Sequence, residues 1–236
     1  INYPVLTKKP LHEIGIEYKE NSFLAKKVGA SIISSNISKI INQIKFDKKQ
    51  KVLIYCWRGG LRSLSLYLVL KQIGYDVTLL DGGYKNYRRF VVKFFVISCE
   101  KYKFNQIMGV TGVGKTLFIK ELSKNYQVID FEGLANHKGS ILGNIPNKNQ
   151  PSQKYFETLI YEKLNSFNSK KNIWVEAESI KVGKLSIPSK IWKNMPLGKN
   201  VKVISSLEER VKFILKDYKY FTNTPTLMKE ALKVLK

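Results

Sequence analysis

Two stretches of the chain hold residue types whose spacing could do chemistry. In "YCWRGGLRS", residues 55–63, Cys56 stands ahead of Arg58, Gly59, Gly60 and Arg62. The reactive form of cysteine is the thiolate, which is favoured by inward-facing amides, a helix N-terminus and nearby guanidinium groups. Gly59 and Gly60 permit the tight curvature that turns loop amides inward, and Arg62 with Arg58 can bind an oxyanion through a planar fork of donors. The stretch is expected to form an anion cradle around an activated thiolate. Cys99 has no such neighbours and is expected to be a buried structural cysteine.

The second stretch, "GVTGVGKT", fits the phosphate-binding pattern G-x-x-x-x-G-K-[ST] with Gly109, Gly112, Gly114, Lys115 and Thr116. Its glycines let successive backbone N–H groups point at phosphate oxygens, and the following helix adds partial positive charge. Lys115 is expected to reach a β- or γ-phosphate and Thr116 a Mg²⁺ ion. Such a cradle recognises a diphosphate and not the group attached to it. "NKNQ" at 147–150 resembles a guanine-reading N-K-x-D without its aspartate, which argues against a GTPase. A carboxylate ending a nearby strand should assist the metal, and the candidates are Asp130, Glu176 and Glu178.

Both loops sit where a parallel α/β architecture would position them. "KVLIYC" reads as a buried strand and "SLSLYLVLKQIGY" as a helix capped near Gly74; "DVTLLDGGY" then reads as a strand with a Gly-Gly turn and "KNYRRFVVKFFV" as a helix. The alternation restarts near residue 100. "FNQIMGVTGVGKTLFIKELSKNY" reads as strand, glycine loop and helix, "QVIDF", "NIWVEAES" and "NVKVISS" as strands, and "SQKYFETLIYEKLNSF" and "LEERVKFILKDY" as helices. This predicts one α/β domain over 1–98 and a second over 99–236. Residues 1–50 are weakly patterned, with a turn around "KKP" and a helix over much of "SIISSNISKIINQI". The long Gly/Asn/Pro-rich stretch between "QVIDF" and the next helix is expected to be functional or mobile. There is no internal repeat.

The 236 residues, 44% of them hydrophobic, can bury a sizeable core, which excludes a disordered chain. The formal charge of +23 suggests a polyanionic partner. Only five of the 41 basic residues are arginine, however, and a Lys/Ile/Asn-rich composition weakens that inference. Two cysteines make no disulfide framework, no metal-ligand spacing involves them or the histidines, and no apolar run is long enough to span a membrane. A reducing cytoplasm is the expected compartment and no membrane partner is expected. The chain opens on Ile1 and stops at Lys236 inside a helical pattern, so both ends are expected to be truncated.

Two chemistries share the geometry of the cysteine loop. "CWRGGLRS" satisfies the C-x-x-G-x-x-R-[ST] loop of cysteine phosphatases, in which thiolate attacks phosphorus. It also resembles the loop of rhodanese-like sulfurtransferases, in which the cysteine carries a chalcogen as a persulfide. Tyr55 stands where phosphatases have histidine, and the arginine falls one position later than in a six-residue sulfurtransferase loop. The loop alone leaves the choice open. A phosphate-loop kinase or NTPase with a regulatory rhodanese-like module, and a rhodanese-fold phosphatase, are both compatible with the two loops taken singly.

Taken in order, "YCWRGGLRS", "DGGYKNYRR", "GVTGVGKT", "VIDFEGLANHKGS", "QPSQKYFE" and "WVEAESIKVGKLSIP" resemble the tRNA 2-selenouridine synthases, from about residue 3 to "LEERVKFILKDY". The resemblance implies a rhodanese-like parallel-sheet domain followed by a P-loop NTPase-like domain. It implies replacement of the 2-thio group of wobble uridine 34 in tRNA by selenium, through S-geranylation from geranyl diphosphate and then selenium transfer from selenophosphate. Cys56 takes the position of the family's selenium-transfer cysteine, with Arg58, Gly59, Gly60 and Arg62 around selenophosphate. The phosphate loop would hold geranyl diphosphate, or else ATP, and "LANHKGS" places Asn136, His137 and Lys138 near the phosphates. Ala177 and Lys181 depart from the family's usual aspartate and arginine, and the first strand of the rhodanese-like part, with its acidic motif, is missing.

Overall fold

The computed structural model describes residues 1–140 and 142–232. Two compact units divide at Phe90 and Val91, where sequence reading drew the boundary at residue 98. The expectation that the chain ends inside a helix at Lys236 falls outside the described residues.

The first unit opens with helix α1 (Lys8–Glu20) and helix α2 (Ser22–Gln43). No turn forms around "KKP", contrary to expectation, because Pro10 lies in the first turn of α1, where its missing N–H would have had no intrahelical partner. Asn21 then caps α2, accepting from the Leu24 amide at 2.9 Å. Strand β1 (Val52–Ile54), helix α3 (Leu61–Gln72) and strand β2 (Val77–Leu79) follow, with β1 and β2 paired in parallel from Val52↔Val77 to Ile54↔Leu79. Ile37 and Ile40 of α2, Leu66 and Leu70 of α3, and Ile54, Val77 and Val5 form the core of this unit.

Gly74 ends α3 as expected. Its φ of +94° lets its own amide donate to Lys71 O at 3.2 Å and the Tyr75 amide to Leu70 O at 3.0 Å, which satisfies two carbonyls at the helix end. Helix α4 (Gly83–Ile97) begins at the Gly-Gly turn.

The second unit is built on a four-stranded parallel sheet. Strand β3 (Phe104–Met108) leads through the glycine loop into helix α5 (Lys115–Leu122), then strand β4 (Gln127–Ile129), short helix α6 (Phe131–Ala135), helix α7 (Gln153–Ser166) and strand β5 (Ile173–Glu176). A two-residue-per-strand antiparallel hairpin, β6 (Lys181–Val182) and β7 (Leu185–Ser186), precedes helix α8 (Ser189–Asn194), strand β8 (Asn200–Lys202) and helices α9 (Leu207–Asp217), α10 (Lys219–Asn223) and α11 (Pro225–Leu232).

The strand order is β4-β5-β3-β8, all parallel. The chain therefore crosses over β5 between β3 and β4, and the carboxyl ends of β3, β4 and β5 meet at that switch point. In an open parallel sheet this is where ligands bind. Ile107, Ile119 and Val128, with Leu122, Trp174 and Val203 against them, fix α5 and the loop to the sheet.

Candidate functional site

In the first unit the cysteine loop leaves β1 and enters α3, and it is locked to the start of α4 by backbone alone. Tyr84 donates its amide to Cys56 O and Lys85 its amide to Trp57 O, each at 2.9 Å. Those two N–H groups, which the first turn of a helix leaves without partners, are thus used by the cysteine loop. Gly59 (φ +65°) and Gly83 (φ +60°) meet backbone to backbone: a Cβ on Gly59 would fall 2.5 Å from Gly83 N, and one on Gly83 would strike Cys56 O. The "DGGY" block reads as a clamp for the loop.

Burial pushes the Cys56 thiol up, but hydrogen bonds outweigh it. The Ser63 hydroxyl lies 3.2 Å from Sγ, and the backbone amides of Arg58, Ser63 and Gly60 also donate, leaving the thiol at about 7. The expected activation is therefore present with a different balance of causes. Amides and a hydroxyl lower the thiol, the Arg58 amide among them, and neither the Arg58 nor the Arg62 guanidinium is among the groups that do so. Arg58 is exposed and Arg62 half-buried. Cys99 is fully buried, its Sγ donating to Phe95 O at 2.9 Å, and burial raises its thiol, as expected of a structural cysteine.

In the second unit the glycine loop follows β3, and Gly112 (φ +86°) and Gly114 (φ +82°) adopt the left-handed conformation that turns its amides inward. Lys115 Nζ donates to Gly109 O at 3.0 Å, and a Cβ on Gly109 would come within 3.0 Å of Val203 O. Helix α9 lies against the loop: Arg210 Nε donates to Thr111 O at 3.0 Å, and Ile214 fills the space where a Gly112 side chain would stand.

A cavity of about 480 Å³ opens beside this loop, lined by Gly112, Gly114, Lys115 and Thr116 together with Asp130, Asn136, His137, Lys138, Glu176 and Glu178. Sequence reading missed Glu132, which lies on the same wall; its Oε2 is 3.5 Å from Thr116 Oγ1. Asp130 instead caps α6, accepting from the Gly133 amide at 2.7 Å. The signal that could have revealed Glu132 is its place in the first turn after that cap, which returns its side chain toward the glycine loop.

Glu132, Glu176 and Glu178 each offer a carboxylate oxygen, and the three lie within 4.8 Å of one another. Burial, then the charges of Glu176, Glu178 and Asp130, push Glu132 up to about 8. Burial, then Glu178 and Asp130, push Glu176 to about 7, and burial raises Glu178 as well. Glu176 is only 2% exposed, and its Oε1 has no hydrogen-bond partner. A buried carboxylate oxygen without a donor, in a cluster held off its normal ionisation by repulsion, fits a hard divalent cation such as Mg²⁺.

The "LANHKGS" residues hold the cavity wall together. Asn136, in the left-handed conformation at φ 51°, ends α6 and donates its amide nitrogen to Asn149 O at 3.1 Å. His137 is buried and accepts the Gly139 amide at Nδ1, and burial lowers its imidazole below the ordinary histidine range. Its ring occupies the space a Cβ on Gly143 or on Gly183 of the hairpin would need. Lys138 pairs with Asp217 Oδ2 at 2.8 Å and sits 4.4 Å from the Tyr218 ring centroid.

The glutamines of "QPSQ" clamp the hairpin: Gln150 donates to Val182 O and accepts from Lys184 N, and Gln153 does the same with Ser186 O and N. The long stretch after β4 is thus a tied wall of the cavity. Among the described residues no helix is long and apolar enough to cross a membrane.

A family model described as the tRNA 2-selenouridine synthase AAA domain matches residues 102–231, and one described as a rhodanese-like domain matches 24–89. The curated tRNA 2-selenouridine synthase of Nitrosomonas europaea is 32% identical over 225 residues, covering 92% of this chain and 58% of that protein. Those of Shewanella halifaxensis and Shewanella piezotolerans are 30% and 31% identical, each covering 92% of this chain and 60% of the relative. The chain thus spans roughly three-fifths of the length of the curated relatives it matches. A crystal structure of the N-terminal domain of a Clostridium difficile 630 protein described as ATP/GTP binding is 35% identical, covering 39% of this chain and 73% of that one, and its TM-score of 0.34 is too low to speak to the fold. With the cysteine loop, the glycine loop and its carboxylates in that order along the sequence, and with more than half of its residues under the first of these models, the chain belongs to the tRNA 2-selenouridine synthase family.

Proposed function

We propose that the chain carries the two anion sites with which an enzyme replaces the 2-thio group of wobble uridine 34 in tRNA by selenium. The observation that carries this reading is the presence, in one chain of this family, of a thiol at about 7 in an amide-lined loop and of a diphosphate cradle backed by carboxylates.

In the first stage the amides of Gly112 to Thr116 and Lys115 grip the diphosphate of a geranyl donor. The 2-thio sulfur attacks the first carbon of the geranyl group, the C–O bond breaks, pyrophosphate leaves and the uridine loses its N3 proton. Lys115 balances the charge that develops on the leaving group. Glu132, Glu176, Glu178 and Thr116 would hold Mg²⁺, which supplies Lewis-acid stabilisation of a departing diphosphate. Phe213, Ile214 and Ile145 give the cavity apolar surface that suits an isoprenoid tail, whereas the loop itself would grip ATP equally well.

In the second stage Cys56 meets selenophosphate. Carriage as a perselenide, the role implied by the resemblance, takes selenium from selenide to the zero-valent state and requires a two-electron acceptor. Attack of the thiolate on phosphorus does not. The S–P bond forms, the P–Se bond breaks, and selenide leaves to displace the geranylthio group as geranyl thiol; water then releases phosphate from Cys56. Ser63, which donates to Sγ, stabilises the thiolate at the start and end of this cycle. Arg58 and Arg62 bind the phosphate oxygens. The tRNA substrate and the reduced thiols fit a cytoplasmic reaction.

The test is incubation with 2-thiouridine tRNA, geranyl diphosphate and selenophosphate, followed by nucleoside mass spectrometry. Lys115→Ala should yield neither product. Cys56→Ser should accumulate the geranylated nucleoside and form no selenouridine; selenouridine from that variant would exclude any role for the thiol. Intact mass of the wild-type protein with selenophosphate alone separates a phosphocysteine from a perselenide.

A further inference from the structure

Beside Cys56 lies a row of aromatic rings that the proposed chemistry does not use. The Trp57 and Tyr84 ring centroids are 5.3 Å apart at an interplanar angle of 32°, and Tyr84 and Tyr87 are 6.2 Å apart. Trp57, directly after the nucleophile, keeps 48% of its surface in solvent.

Its position is also fixed. The bonds from the Tyr84 and Lys85 amides to the carbonyls of Cys56 and Trp57 tie the backbone of both residues to the first turn of α4, so ring and thiol are held in one register.

The cations of this region have a chemical bias. The chain uses lysine for nearly all its positive charge, yet four of its five arginines lie close to the cysteine loop along the chain: Arg58 in it, Arg62 in the first turn of α3, and Arg88 and Arg89 in the helix that clamps it. The fifth, Arg210, bonds the phosphate loop. Arginine binds phosphate through a planar fork that lysine lacks. A half-exposed tryptophan backed by a second ring, in a stretch where the cations are arginines, has the composition of a platform for single-stranded nucleic acid, where bases stack on rings and the backbone meets guanidinium groups.

We propose that Trp57, backed by Tyr84, is the stacking platform that receives the flipped-out wobble uridine of an RNA hairpin loop and presents its C2 substituent to the Cys56 cradle. The proposal rests on the reading of Cys56 as the residue that handles the selenium donor. It makes Trp57 a positioning residue for the base and leaves the chemistry with Cys56.

The experiment uses the full chain and an anticodon stem-loop RNA carrying 5-iodouridine at the wobble position, with a blunt RNA duplex of equal length as control. Irradiation should crosslink the wobble base to Trp57 or Tyr84. Trp57→Ala should weaken stem-loop binding about tenfold or more, Trp57→Phe should keep most of it, and duplex binding should be unchanged in both. Alkylation of Cys56 should keep its midpoint near pH 7 in Trp57→Ala, which shows the loop intact. Wild-type crosslinks elsewhere overturn the proposal whatever the variants do. So does a Trp57→Ala protein that binds the stem-loop like wild type, or one that loses stem-loop and duplex equally, which would leave the aromatic row to packing or to a protein partner. Selenouridine formation by Cys56→Ser would remove the parent reading while the crosslink map still decides the platform.

Discussion

The Ser63 hydroxyl, 3.2 Å from the Sγ of Cys56 and equally 3.2 Å from Gly60 O, is the one side chain among the described residues that lowers the thiol. Ser63→Ala removes that donor and leaves burial opposed only by backbone amides. The thiol should then rise from about 7 toward its ordinary value, so the fraction of thiolate at pH 7 falls. Iodoacetamide alkylation measured against pH reads this directly. An unchanged midpoint in Ser63→Ala would assign the activation to the amides alone.

The glycine contacts predict a sharp contrast between neighbours. Gly83→Ala drives a Cβ into Cys56 O at a positive φ, whereas Gly60 has nothing within 4 Å of the same position and an ordinary φ of −93°. Gly83→Ala should cost about 3 kcal/mol or more, with Cys56 reactivity lost alongside. Gly60→Ala, at the N-cap of α3, should change stability by only about 0.5 kcal/mol. Chemical denaturation of the two variants checks the contrast, and equal destabilisation would refute the clamp.

These loops were legible in the sequence because their requirements are local. Left-handed glycines, a lysine at a fixed offset and the helix that follows are all encoded within about ten residues, as is the Gly74 cap. What escaped depends on short elements or distant partners. The strands β6 and β7 are two residues each, too short for any periodicity, and are held by Gln150 and Gln153 more than 30 positions away. Glu132 escaped because the strand-end rule pointed to Asp130, whose carboxylate the α6 amide had already taken. Helix α1 escaped although Leu11, Ile14 and Tyr18 stand at helical spacing, because Pro10 in "KKP" reads as a turn and the apolar positions are few among charges.

Lys138 and Asp217 are 79 positions apart and tie the long stretch after β4 to the end of α9, the helix that lies on the phosphate loop. The pair is partly exposed, with side-chain exposures of 22% and 39%, and Lys138 also faces the rings of Tyr218 and Tyr220. Lys138→Met should therefore cost only about 1–2 kcal/mol of stability. Its larger effect should be local: faster amide exchange across 207–217 and weaker pyrophosphate binding. Uniform exchange protection in the variant would mean that α9 is held by Arg210 and Ile214 alone.

The acid cluster predicts an inverted pH dependence in the absence of metal. Glu132 at about 8 and Glu176 at about 7 both lie above their ordinary value of 4.5, so the folded chain binds more protons than the unfolded one between those limits. This contribution to stability is complete below about pH 4.5 and is lost as pH rises through 7 and 8. Lys115 opposes the trend and Asp130 reinforces it. Melting temperatures in EDTA should fall from pH 6 to pH 9, and Glu132→Gln should flatten the fall. Because a divalent cation binds the ionised carboxylates, Mg²⁺ should raise the melting temperature most at the alkaline end and should lose that effect in Glu176→Gln. A wild-type melting temperature at pH 9 that does not respond to Mg²⁺ would separate the cluster from any metal role and leave Thr116 without its expected partner.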